Sequence, residues 1–300
     1  MNVMKTLRPV QSFIAVLKPR ASIILSAYTL TGLMSYILVS FEFHISQLIK
    51  LFFAVTSIAY SIYLYNDLAD FEDDMKYIKL GEPAAAKRPL GKGLVSKREM
   101  KIFITFVTIV GLTTSLLINI HVFLSQLGFL ALGLAYSTEP IRLKKRFILK
   151  QITIALGGTL VILTGGFAAG VISGKLIFLM FISFLMYLTI PSLTDLRDLK
   201  WDREVGIKSF PVVWGPGMTV RLMLAILMVN ICGVMVGYLR LGFNLVLPIL
   251  GSIILISFIY VLYPLLEKWN DEKYINKVTN RVFILWFMLL VVILVGSYPR

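Results

Sequence analysis

Residues 65–74 (YNDLADFEDD) and 193–202 (LTDLRDLKWD) decide the organisation of this chain. Both stretches contain the pattern D-x-x-D-x-x-x-D, and the second lies 128 residues after the first. The pattern is formed by Asp67, Asp70 and Asp74 in the first motif and by Asp195, Asp198 and Asp202 in the second. Positions i, i+3 and i+7 share one stripe of a helix, so each motif predicts three carboxylates on one helical face.

Three like charges on one stripe repel each other and require a compensating cation. Two such stripes facing each other would form a cage of hard oxygen ligands, which suits Mg²⁺ holding a phosphorylated substrate. The simpler interpretation is that the acids only solvate two helix ends. Chance solvation would not reproduce the same spacing twice, so we favour a metal and phosphate site.

The composition is that of a polytopic helical membrane protein. Apolar residues make up 58% of the 300 residues, and apolar runs of spanning length recur along the chain. The runs predict nine spans and a single domain over residues 1–300. The predicted spans are 21–41, 47–66, 102–120, 122–138, 151–171, 176–196, 220–239, 244–266 and 279–297.

The positive charges indicate the orientation of the chain. With the N-terminus inside, 26 of the 30 Lys and Arg residues lie on the cytoplasmic side, together with both aspartate motifs. This distribution explains most of the net charge of +14 and argues against nucleic acid as a partner. The motif offset spans four helices, which predicts two parallel four-helix pseudo-repeats followed by a ninth helix.

Basic and hydroxyl side chains follow the motifs in three cytoplasmic segments. The loop at 67–101 carries Arg88, the loop at 197–219 carries Arg203 and Lys208, and the segment after the fourth span contains YSTEPIRLKKR. That segment supplies Tyr136, Ser137, Lys144 and Lys145. Cations and Mg²⁺ on one membrane face suit a diphosphate group.

On these residues the chain resembles the UbiA superfamily of intramembrane prenyltransferases. The resemblance begins with Asn66-Asp67-x-x-Asp70-x-x-x-Asp74 and Lys87-Arg88-Pro89-Leu90-x-x-Gly93. It continues with Tyr136-Ser137-x-x-Pro140 leading into Lys144. It ends with Asp195-x-x-Asp198-x-x-x-Asp202-Arg203-x-x-Gly206 and Phe210-Pro211-Val212, and so covers nearly the whole chain.

The resemblance implies an all-α fold of nine transmembrane helices around a central cavity, capped by the cytoplasmic motif loops. It also implies Mg²⁺-dependent transfer of a prenyl group from a diphosphate donor within the membrane lipid. We expect two Mg²⁺ ions bridging the diphosphate, held by the six motif aspartates. We expect the diphosphate to be bound by Asn66, Arg88, Ser137, Lys144, Lys145, Arg203 and Lys208.

We expect Asp67, Asp198, Lys144 and Tyr136 to be the catalytic residues, with Asp198 as a candidate acceptor of a proton. The acceptor is a hydrophobic molecule that the sequence leaves open: an aromatic ring, as in quinone precursors, or a lipid alcohol, as in glycerol phosphate ethers. Haem farnesylation and chlorin esterification are also known for the superfamily.

Two other classes of function are alternatives to an enzyme. A secondary transporter or ion channel could use the acids as a cation path, but the acids lie at helix ends on one side and no inverted repeat is present. A structural or lipid-binding membrane protein predicts that Asp67→Ala leaves function intact.

Overall fold

The computed structural model describes residues 14, 16–18, 20–40, 44–79, 89–91 and 93–298, and within these ranges the chain is helical without strands. Nine of the helical segments in these ranges are long and apolar enough to cross a membrane. They are α1 (Arg20–Val39), α2 (Ile45–Ala69), α4 (Lys97–Leu116), α5 (Ile120–Ser137), α6 (Leu149–Ala169), α7 (Gly174–Arg197), α10 (Pro216–Arg240), the segment Val246–Lys268 and α13 (Glu272–Gly296). The prediction of an integral, multi-pass helical protein is confirmed.

The remaining helices are short. They are α3 (Phe71–Lys79), α8 (Leu199–Glu204) and α9 (Phe210–Val213), and the segment Val246–Lys268 consists of α11 (Val246–Leu262) and α12 (Leu265–Lys268). All nine predicted spans correspond to observed helices, with ends shifted by several residues.

Local capping explains where two of these helices begin. The fourth helix begins at Lys97 rather than at residue 102 because Ser96 and Glu99 form a reciprocal capping box ahead of the apolar run. The Asn119 side chain accepts a hydrogen bond from Val122 N at 2.9 Å and starts α5, which fixes the turn predicted between the third and fourth spans.

The chain forms two compact units, each described here by itself. The first unit contains Met1–Leu30 and Ile45–Arg142. Its helix α2 packs against α4 and α5 through glycines. A Cβ at Gly111 would lie 2.8 Å from Ile58, and one at Gly133 would lie 2.5 Å from Ile62. The small residues therefore allow the close helix approach that replaces hydrophobic driving force in a membrane.

The second unit contains Thr31–His44 and Leu143–Arg300. Its core is apolar and includes the buried side chains of Phe243, Phe258 and Trp286. Helix α6 packs closely on its neighbours, as its glycines predict: a Cβ at Gly158 would lie 2.2 Å from the Tyr187 ring, and one at Gly165 would lie 2.5 Å from the Gly32 carbonyl oxygen.

The two aspartate motifs share one local structure. Each motif starts at the end of a long spanning helix and continues into a short helix, with the break at the middle aspartate, Asp70 or Asp198. Backbone hydrogen bonds nevertheless cross each break, from Asp74 N to Asp70 O at 2.8 Å and from Asp202 N to Asp198 O at 2.9 Å. The helical path continues, so the i, i+3, i+7 stripe of carboxylates is retained.

Candidate active site

The first motif is anchored by an ion pair between Arg20 and Asp67. The Arg20 guanidinium reaches both carboxylate oxygens, with Nη2–Oδ1 at 2.5 Å and Nε–Oδ2 at 3.4 Å. The Asp67 side chain is only 2% exposed, and the Arg20 guanidinium also lies 5.5 Å from the centre of the Tyr63 ring. A buried carboxylate needs such a partner, and Arg20 neutralises Asp67.

A second cation, Arg142, serves the other end of the first motif. Its guanidinium bonds Asp73 at 2.7 Å, Asp70 at 3.3 Å and Glu139 at 2.8 Å. Burial alone would lower the pKa of Arg142, but the hydrogen bonds with Glu139 and Asp73 and the charge of Asp70 outweigh burial and raise it. Arg142 therefore stays charged and ties the segment after α5 to the first motif.

Polar side chains from α2 and α5 meet beside this motif. Asn66 Nδ2 donates to Ser137 Oγ at 2.8 Å, and the Tyr65 hydroxyl lies 2.7 Å from Thr138 Oγ1. The structure thus brings together Asn66 and Ser137, two residues predicted for the site. Tyr136 is half-buried on the same helix.

The second motif is built around Lys150, at the start of α6. Its ammonium donates to Asp195 Oδ1 at 2.7 Å and to Asp202 Oδ2 at 3.3 Å, and all three residues are buried. Gln151 Nε2 donates to the other Asp195 oxygen at 2.6 Å. Asp198 is more exposed and accepts two hydrogen bonds from its neighbour Arg197, at 2.7 and 2.9 Å.

Electrostatics distinguish Asp202 from an ordinary surface acid. Burial raises the pKa of Asp202 to about 6; the charge of Lys150 opposes this rise, and the charge of Asp195 adds to it. A cation in contact with Asp202 therefore favours its ionised form.

The other predicted cations have different environments. Lys144 is buried in a single 3-10 turn, Leu143–Lys145, and Lys145 beside it is half-buried. Arg203 and Lys208 are exposed on the segments after the second motif. Arg88 lies outside the described residues.

The donor set fits a hard divalent cation, although the ligands are already engaged. Across the described ranges, no three His, Cys, Asp or Glu side chains lie close enough together to hold a metal ion. Basic side chains of the same unit instead pair with Asp67, Asp70, Asp195, Asp198 and Asp202. Beside Asp195, the buried Gln151 Oε1 has no hydrogen-bond partner and is a free neutral oxygen ligand. Carboxylate and amide oxygens are the ligands that Mg²⁺ prefers, so its binding requires the ion pairs to rearrange.

Sequence reasoning missed three residues of these networks: Arg20, Lys150 and Gln151. Arg142 is one of the basic residues of the segment YSTEPIRLKKR, which the sequence predicted to supply cations. Lys150 carried a weak signal, since a lysine at the start of an apolar span is costly without an acidic partner. Arg20 carried the same signal at the first span.

Comparison with known proteins identifies the family. The profile of the UbiA prenyltransferase family matches residues 25–288, which is most of the chain. The chain belongs to this family. The resemblance inferred from the motifs is confirmed, as is the expectation of a UbiA-type prenyltransferase.

Relatives within the UbiA family match over nearly the full length. The digeranylgeranylglyceryl phosphate synthase of Methanocaldococcus jannaschii is 26% identical over 277 residues, covering 89% of this chain and 90% of the relative. A solved structure concerning digeranylgeranylglyceryl phosphate synthase in membranes matches with a TM-score of 0.73 and 23% identity, covering 96% and 98% of the two chains. A UbiA homolog from Archaeoglobus fulgidus bound to GPP and Mg²⁺ gives a TM-score of 0.75 at 18% identity, covering 95% and 99%. The solved structures support the shared fold.

Proposed function

We propose that this protein transfers an isoprenyl chain from a prenyl diphosphate to the hydroxyl group of a lipid alcohol that carries a glyceryl phosphate, in a Mg²⁺-dependent reaction. The observation that carries the proposal is the pair of aspartate motifs, each at the end of a spanning helix and each neutralised by a buried or half-buried cation. Digeranylgeranylglyceryl phosphate synthases among the relatives support the acceptor class.

The six motif aspartates are the proposed metal ligands, with two Mg²⁺ ions expected. Bound Mg²⁺ supplies neutralisation of the charge that develops on the departing diphosphate. Arg20 and Lys150 hold Asp67 and Asp195 in place, and burial of both carboxylates keeps them away from bulk water. Asn66 is held by Ser137 at 2.8 Å, and its side-chain oxygen is a candidate neutral ligand.

Basic side chains are the proposed partners of the diphosphate. Lys144 and Arg88 are the expected direct contacts, Lys145 is a further candidate cation, and the Tyr136 and Ser137 hydroxyls are expected to complete the set. Lys144 is buried, so its ammonium interacts with an anion at low effective dielectric and is poorly screened by salt.

The reaction breaks the bond between the first prenyl carbon and the diphosphate oxygen, and the electron pair leaves with diphosphate. The allylic cation that remains needs an apolar, aromatic environment. Tyr63 lies one helical turn before Asp67. The centre of its ring is 6.0 Å from that of Tyr28, and the centre of the Tyr28 ring is 5.4 Å from that of Phe129. These rings are the proposed stabilisers of the cation.

A glyceryl phosphate acceptor would add an anionic group beside the reacting hydroxyl. Arg203 and Lys208 are exposed after the second motif and are proposed to bind this phosphate. The acceptor oxygen forms the new carbon–oxygen bond and loses its proton. Asp198, the most accessible carboxylate of the second motif, is the proposed proton acceptor.

The test is prenyl transfer by the purified protein in lipid vesicles with radiolabelled geranylgeranyl diphosphate. Two acceptors are offered in parallel, geranylgeranylglyceryl phosphate and an aromatic acid such as 4-hydroxybenzoate, each with Mg²⁺ or with a chelator. We expect a labelled glyceryl phosphate lipid that disappears with chelator. Prenylation of the aromatic acid alone would reject the acceptor class and keep the enzyme class.

A variant separates catalysis from folding. Asp67→Asn should abolish transfer while the protein still elutes as a folded species, because the amide keeps a side-chain oxygen for Arg20 but loses the charge that binds metal. Uptake of solute into sealed vesicles without transfer would instead favour a transporter.

A further inference from the structure

Lys150 bridges two carboxylates of the second motif. Its ammonium contacts Asp195 on α7 and Asp202 on α8, at 2.7 and 3.3 Å. The two carboxylates are seven positions apart in the chain, and both contact this nitrogen. A cation shared by two carboxylates is the arrangement that a bridging metal ion also adopts.

Burial makes this ion pair different from the others in the second motif. The side chains of Lys150, Asp195 and Asp202 are 9%, 5% and 9% exposed, whereas Arg197 and Asp198 are 30% and 37% exposed. Breaking a buried pair leaves an uncompensated charge, which is strongly unfavourable, whereas opening an exposed pair costs little. The ammonium is therefore the hardest cation to remove from this motif.

A second observation is an oxygen atom next to Lys150 in sequence that has no hydrogen-bond partner. Gln151 directs its amide nitrogen to Asp195 Oδ2 at 2.6 Å, and this contact fixes the orientation of the amide. Its oxygen, Oε1, is buried without a hydrogen-bond partner. An ammonium group can donate a hydrogen bond to this oxygen, and a metal ion can accept its lone pair. Either cation can therefore bind Gln151 Oε1.

We propose that Lys150 competes with divalent metal for Asp195 and Asp202, so that this pair of carboxylates binds metal weakly until the ammonium leaves. This inference rests on the proposed function, since it assigns a role to Lys150 in the same site. Lys150 is a positioning residue: it holds the two carboxylates together when no metal is bound.

The diphosphate donor completes the argument. An ammonium displaced by metal needs a new anionic partner, because it is nine-tenths buried. A diphosphate bound with the metal provides that partner, and without diphosphate the ammonium remains on the carboxylates. Metal binding by Asp195 and Asp202 is thereby linked to the arrival of substrate.

The test is a titration of the purified protein with Mn²⁺, followed by the EPR signal of the free ion, without donor or acceptor. Lys150→Gln removes the charge but keeps a polar side chain. We expect the Lys150→Gln protein to bind one Mn²⁺ at the second motif about tenfold or more tightly than the wild-type second motif does. A tenfold gain in affinity corresponds to roughly 1.4 kcal/mol. Lys150→Arg keeps the charge and should behave as the wild type.

The matched control is Lys200→Gln. Lys200 is an exposed lysine of α8 whose ammonium lies over the Trp201 ring at 5.0 Å. This variant also removes one positive charge, from the short helix α8 that carries Asp202, and leaves the contacts of Lys150 with both carboxylates in place, so Mn²⁺ affinity should stay at the wild-type value. An equal gain in this control would mean that net charge alone causes the effect and would overturn the proposal.

Asp195→Asn completes a double-mutant cycle. In the Lys150→Gln background it should remove the gained Mn²⁺ site, whereas in the wild-type background it should leave the tightest Mn²⁺ binding unchanged. The measurement on the single Asp195→Asn variant needs no Lys150 variant, so the proposal stays testable if Lys150→Gln does not fold. Loss of tight Mn²⁺ binding in the single Asp195→Asn variant, or no gain in a folded Lys150→Gln protein, overturns the proposal.

The outcome is independent of the prenyl transfer assay. A gain in Lys150→Gln without prenyl transfer by the wild type would keep the role of Lys150 and reject the proposed reaction. Transfer by the wild type without a gain in Lys150→Gln would keep the reaction and reject the role of Lys150.

Discussion

At the scale of single residues, the motif carboxylates differ in burial and in partners. Asp74 is 5% exposed and follows Asp70 by one helical turn, with a backbone hydrogen bond of 2.8 Å. Its neighbour Asp73 points to Arg142 at 2.7 Å. Adjacent residues differ in direction by about 100° around a helix, so only one of the two belongs to the predicted stripe.

We predict that Asp74→Ala lowers prenyl transfer by at least about 100-fold, as loss of a charge-stabilising group does. Asp73→Ala should retain a large share of activity, because it removes a contact with Arg142 but no stripe carboxylate. Initial rates at saturating Mg²⁺ measure both. The opposite ranking of the two variants would move the metal site to Asp73.

The ion pair of Arg20 and Asp67 is expected to contribute to stability as well as to the site. Arg20→Gln leaves the buried Asp67 carboxylate unpaired and should lower the free energy of unfolding by about 3 kcal/mol. Denaturant unfolding in detergent measures this change. The double variant Arg20→Gln/Asp67→Asn should recover part of the loss.

The control is an exposed pair in the same unit. Lys97 lies 2.9 Å from Glu72, and their side chains are 52% and 78% exposed. Lys97→Gln should change the free energy of unfolding by less than about 1 kcal/mol, because exposed pairs are hydrated and screened. Equal losses in Arg20→Gln and Lys97→Gln would contradict a special role for burial.

At the scale of elements, the packing of α6 depends on the absence of a side chain at Gly165. A Cβ there would lie 1.9 Å from Ser35 Oγ and 2.5 Å from the Gly32 carbonyl oxygen, and backbone cannot move aside as a flexible side chain can. We predict that Gly165→Ala lowers the melting temperature clearly. Gly217→Ala in α10, where no atom lies within 4 Å of the added carbon, should leave it unchanged or raise it slightly.

The spanning helices and the aspartate stripes could be predicted from sequence because both depend on local pattern. Apolar runs determine the spans, and the i, i+3, i+7 spacing places the carboxylates of each motif on one face. Helix ends were less accurate: the third predicted span began five residues late because the polar first turn after Ser96 belongs to the helix.

The cationic partners could not be predicted because pairing depends on how distant helices pack. Arg20 and Asp67 are 47 positions apart, and Lys150 and Asp195 are 45 positions apart. No local pattern relates such residues. The sequence predicted Lys144 and Arg88 as cations of the site from the family resemblance, and these assignments stay predictions.

At the scale of the whole molecule, the distribution of Lys and Arg in the sequence predicts the orientation in the membrane. The positive-inside rule predicts that the N-terminus and both motifs face the cytoplasm. We predict that a cysteine at Lys200 reacts with a membrane-impermeant maleimide only from the cytoplasmic side. A cysteine at Ile172, exposed between α6 and α7, should react only from the other side.

The labelling uses a Cys232→Ser background, because Cys232 is the only cysteine and is exposed. Spheroplasts and inverted vesicles provide the two sides. Reaction of both positions from the same side would contradict the helix count between them, and reversed labelling of both would invert the assigned orientation.

The ion pair at Lys150 also bears on how the protein is made. Lys150 lies in the first turn of α6 and Asp195 in the last turn of α7, so the two residues lie at the open ends of one hairpin whose turn is residues 170–173. Synthesis of Arg197 completes the hairpin before α10 to α13 are made. The translocon can then release two helices whose buried lysine and aspartate have already neutralised each other, which lowers the cost of leaving the aqueous channel for lipid.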